Sequence, residues 1–139
     1  MYEPVMKRVL SVATYRNDFK SDFFLHSDIA IEWIESYGMA VGQDVFRTVF
    51  QIGRMQQQLG AVRLIPRRDV KLTLCGSARA KDTNIRQALI DAIGPVGTKK
   101  NPGPLYGVTG HYWAALAVAY TASRCEPTDH EAFFHKEAS

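Results

Sequence analysis

A chain of 139 residues, 46% of them hydrophobic, is long enough to bury one sizeable core and too short to expect two domains. Cys75 and Cys125 stand alone, with neither a CxxC pair nor an even framework. That excludes a disulfide-stapled scaffold and, with no secretory leader pattern at the start, points to a reducing, cytoplasmic setting. The longest apolar run near the C-terminus, YWAALAVAY, falls far short of the roughly 20 residues a membrane span needs.

The net charge of +3 would mean little if it were evenly spread, and it is not. From Arg63 to Lys100 nine basic residues stand against Asp69, Asp82 and Asp91, net +6, which leaves −3 on the rest. A basic stretch of this kind marks a surface that meets a polyanion. The plainer reading is a solvated basic face with no partner.

In chain order, MKRVLSVATY holds a β-rich run expected as an edge strand, and NDFKSDFFL suits a short helix. DIAIE, residues 28–32, contains the unbroken apolar run Ile29, Ala30, Ile31, the pattern of a strand covered on both faces, and ends in Glu32. Residues 43–59 place Phe46, Val49, Phe50 and Gly53 at helical spacing before Gly60, which predicts an amphipathic helix. AVRLI, residues 61–65, reads as a second strand ended by Pro66. Strand, long crossover helix, strand implies a parallel pair and an α/β class.

DVKLTLC is expected as a helical turn ending at Gly76. The following helix has Asp82 or Thr83 as N-cap, an apolar stripe of Ile85, Leu89, Ala92 and Ile93 to dock it on the sheet, and a stop at Gly94-Pro95. Lys81 and Arg86 then fall near its N-terminal end, where free N–H groups also favour anions. VGTKKNPGPLYGVTG is a Gly/Pro-rich loop carrying Lys99 and Lys100. HYWAALAVAYTAS is apolar nearly all round, hence a largely buried helix with Ala114, Ala115, Ala117 and Ala119 for close approach, and residues 125–139 read as a tail.

Glu32 at the carboxyl end of a parallel strand is a favoured place for a ligand or hard cation, although it could equally meet solvent or a basic residue there. His111, at the start of the last helix, is a candidate ligand or general base beside the commoner structural role. HEAFFH is no zincin motif, because His130 and His135 are five apart rather than four. GSARA lacks the spacing of a phosphate-binding P-loop.

Four segments taken together, AIEWIESYGMAVGQDVF, IGR, RRDVKLTLCGSARAKDTNIRQALIDAIG and GTKKNPGPLYGVTGHYWAALAVAYTA, resemble the phage and bacterial RuvC-like Holliday junction resolvases over roughly residues 28–122. The resemblance implies a ribonuclease-H-like fold, a mixed sheet with helices on both faces, in a single domain over residues 1–124. It also implies a homodimeric endonuclease acting on branched DNA in recombination or repair, in a bacterial or phage-infected cell. Mg²⁺ or Mn²⁺ would assist hydrolysis of the phosphodiester, with Glu32 and His111 at the family's metal-binding and catalytic positions. The region near the DNA in that family falls on CGSARAK, and the basic residues in and around it, Arg67, Arg68, Lys71, Arg79, Lys81, Lys99 and Lys100, are the DNA-binding candidates.

Two positions depart from the family pattern. Nothing in residues 1–24 matches the opening strand IDPG, whose aspartate is the first metal ligand, so the opening hairpin is expected to be missing. Ala114 stands where the family has a second acid on the last helix. A non-catalytic DNA-binding remnant of the same family is therefore the alternative, and a small-molecule enzyme using His111 as base is a third.

Overall fold

The structure, a computed structural model, describes residues 28–60 and 62–124. The expected N-terminal strand and helix, and the tail at 125–139, lie outside the described residues. What is described is mixed α/β, with four helices and a two-stranded parallel sheet. These elements fall into two compact units, residues 28–67 and 68–124.

The first unit contains β1 (Ile29–Trp33), α1 (Gln43–Leu59) and β2 (Val62–Pro66). The strands run parallel, with Ile29 opposite Val62, Glu32 opposite Ile65 and Trp33 opposite Pro66. Because side chains alternate across a sheet, Ile29, Ile31 and Trp33 share one face with Val62 and Leu64. That face packs on Ile52 and Leu59 of α1, and Ile52, Val62 and Leu64 are buried. Burying one such aliphatic side chain contributes about 1.5–3 kcal/mol, so this seam sets the position of the crossover helix.

The parallel pair and both strands match the sequence expectation, but several details differ. β1 is half-buried along its whole length rather than covered on both faces. On α1 the inward stripe is Val45, Val49, Ile52, Met55 and Leu59, whereas Phe46 and Phe50 are 64% and 69% exposed and Gly53 is exposed. Two apolar stripes lie about one residue apart on this helix, and the one carrying Ile52 and Leu59 meets the sheet. Spacing alone does not choose between them.

The second unit holds α2 from its second residue (α2 spans Arg67–Cys75), α3 (Asp82–Ile93) and α4 (Tyr112–Arg124). Another difference is here: DVKLTLC belongs to a nine-residue helix that starts directly after Pro66, with Val70 fully buried. Pro66 can end a strand because it has no N–H to offer a ladder. On α3, Ile85 and Leu89 are buried, while Ala92 of the expected stripe is exposed, and the helix contacts α4. Leu116, Ala117, Val118, Tyr120, Thr121 and Ala122 are buried on α4, as its composition implied. The Thr121 hydroxyl is satisfied by donating to Ala117 O at 2.8 Å.

Candidate functional site

Glu32 lies one residue before the end of β1, on the sheet face away from α1. It shares that face with Ala30, Arg63 and Ile65, by the same alternation and register. Two residues beyond Ile65, α2 begins with Arg67, whose Nη1 is 3.7 Å from Glu32 Oε1. This is a charge contact rather than a hydrogen bond, being too long for one. The side chains of Arg67 and Glu32 are 29% and 38% exposed, so solvent reaches both. The strand-end carboxylate thus meets a basic residue, one of the alternatives open from sequence.

The remaining candidate cations stand in the second unit. Arg68 is exposed and Lys71 half-buried on α2. After α2, Gly76 N–H donates to Leu72 O at 2.9 Å and Ala80 N–H to Ser77 O at 3.1 Å. Arg79 N–H also donates to Ser77 Oγ at 3.3 Å. Ala80 is buried between exposed Arg79 and Lys81, which pins this short turn at its centre and leaves both cations in solvent.

Lys81, rather than Asp82 or Thr83, is the N-cap of α3. A lysine side chain has no acceptor for the free N–H groups, and the local bonding runs the other way. Asn84 Oδ1 accepts from Lys81 N–H at 2.9 Å, and Asn84 N–H donates to Lys81 O at 3.0 Å. This half of a capping box fixes the backbone at Lys81 while its ammonium stays exposed. Arg86, one turn further on, lies over the ring of Trp113 on α4, 4.8 Å from the centroid. That contact links α3 to the start of α4 and was not foreseeable from spacing, since its partners are far apart in the chain.

Lys99 and Lys100 are exposed between α3 and α4. His111 is exposed immediately before α4, and its carbonyl accepts from Ala115 N–H at 3.2 Å. The structure therefore brings Glu32 together with Arg67. Arg79 and Lys81 share one short turn, and Lys99 and Lys100 another. Glu32 belongs to the first unit and His111 to the second.

A hard divalent cation takes about six oxygen ligands. Glu32 supplies a carboxylate of the right kind, but among the described residues no group of three or more His, Cys, Asp or Glu converges. Among the described residues, too, no helix is long and apolar enough to cross a membrane. No family model matches the chain, and neither a curated protein nor a solved structure does.

Proposed function

We propose that this chain is a structure-selective endonuclease for Holliday junctions or other branched DNA, of the RuvC-like kind and with a ribonuclease-H-like ancestry. The observation that carries the reading is the position of Glu32, a carboxylate at the carboxyl end of a parallel strand, followed in the chain by a run of solvent-facing cations. Arg68, Arg79, Lys81, Lys99 and Lys100 release counterions on meeting phosphates. Contacts of this type register backbone shape rather than base sequence, which suits a four-way junction. Exposed side chains on a helix and on hydrogen-bonded turns are the arrangement that such binding needs. Mg²⁺ or Mn²⁺ is the proposed cofactor, Glu32 its proposed ligand, and a homodimer the proposed assembly.

The contact between Glu32 and Arg67 favours a second reading, a branched-DNA-binding protein whose strand-end carboxylate is neutralised by its own arginine. The two are separated by incubating a labelled synthetic junction with the protein, with Mg²⁺, Mn²⁺ or chelator. Metal-dependent nicking supports the endonuclease. Stable junction binding without product at any metal concentration supports the second reading, and binding of neither junction nor duplex sinks both.

A further inference from the structure

The Gly/Pro-rich stretch between α3 and α4 is not slack chain. Gly97 and Pro102 form an antiparallel bridge, Gly103 N–H donates to Val96 O at 2.9 Å, and Leu105 N–H donates to Pro95 O at 3.4 Å. Above the bridge, Thr98 N–H donates to Asn101 O at 3.0 Å, and Asn101 N–H donates back to Thr98 Oγ1 at 3.2 Å. Two residues remain at the apex, Lys99 and Lys100, both exposed. Among the described residues no ion pair involves either.

The base of this hairpin is fitted too closely for a side chain. A Cβ on Gly97, whose φ is 74°, would fall under 3.0 Å from Gly103 N and Asn101 O, and one on Gly103 would fall under 3.0 Å from Pro95 O. Buried Leu105 and Val108 anchor the chain just beyond it. The fold therefore places two adjacent lysines at the tip of a hydrogen-bonded turn, where like charges on neighbouring residues favour an anion.

We propose that residues 96–103 form a preorganised two-lysine finger that grips neighbouring phosphates of a nucleic-acid backbone, with Gly97 and Gly103 as its positioning residues. The proposal rests on the branched-DNA reading and deepens it by naming the element that fixes where the backbone is held. Because the turn is ordered on folding, little of its ordering cost is left to be met on binding. Each lysine acts as a compact point charge on a flexible stem, so the rigidity has to come from the hairpin.

Fluorescence anisotropy of a labelled four-way junction, titrated between about 50 and about 200 mM salt, tests this. Each phosphate contact contributes about 0.9 to the slope of log K against log salt, so the Lys99→Ala/Lys100→Ala double variant should lose about two units of slope. Thr98→Val keeps both lysines but removes the acceptor of Asn101 N–H; it should bind severalfold more weakly at an unchanged melting temperature, and Thr98→Ser should restore parental binding. Parental slope in the double variant, with the parent still bound, overturns the finger and leaves the broader function intact. Parental affinity in Thr98→Val overturns preorganisation. Failure of the parent to bind junction or duplex at low salt overturns both the finger and the function.

Discussion

Breaking the Glu32–Arg67 contact gives a measurable test of how strand end and helix start are joined. Two unit charges about 4 Å apart attract by about 1 kcal/mol in water and about 4 kcal/mol at an effective dielectric near 20. With the two side chains 29% and 38% exposed and 3.7 Å apart, screening brings the coupling towards the lower figure, about 1 kcal/mol. The assay is a double-mutant cycle of Glu32→Gln, Arg67→Gln and the pair in urea unfolding, followed through the fluorescence of neighbouring Trp33. The cycle isolates the pairwise energy even though Arg67 makes other interactions. At about 1 M salt, where the Debye length is about 3 Å, the coupling should shrink towards zero. A coupling absent at low salt, or one that survives high salt undiminished, refutes this account of the pair.

The packing makes further claims. Ile52→Ala should destabilise by about 2–5 kcal/mol, whereas Phe50→Ser, on the exposed stripe of the same helix, should stay within about 0.5 kcal/mol of the parent; a reversal in denaturant titration would place the other stripe against the sheet. Leu89→Ala, fully buried on α3, should likewise cost about 2–5 kcal/mol, and a loss under 1 kcal/mol would mean that the helix is not held there. Arg86→Ala should cost about 0.5–1 kcal/mol and alter Trp113 emission in a Trp33→Phe background; unchanged emission argues against the ring contact. Arg79→Ala with Lys81→Ala should lower the salt slope of junction binding by about two units, and a parental slope removes both residues from the interface.

Much of the architecture was legible in the chain. The apolar run before Glu32, the Gly60 stop and the Pro66 break marked β1, α1 and β2, and the length of the crossover required a parallel pair. The face of α1 was not legible, because Phe46 and Phe50 are as apolar as Val49 and Ile52 and only the sheet decides which stripe is buried. The cap of α3 was missed because Asn84 reaches back to Lys81, so the bonding partner sits inside the helix rather than ahead of it. For the site, composition located the cations and the strand end located Glu32. The pairing with Arg67 depends on α2 starting directly after Pro66, and the hydrogen-bonded hairpin below Lys99 and Lys100 depends on close backbone approach at Gly97 and Gly103, which spacing does not announce.

Cleavage of an end-labelled four-way junction by equal amounts of parent and Glu32→Gln, with binding matched and Mg²⁺ or Mn²⁺ supplied, tests the central claim most directly. Symmetric nicks near the branch point are expected from the parent and none from the variant. Nicking that persists undiminished in Glu32→Gln would contradict it.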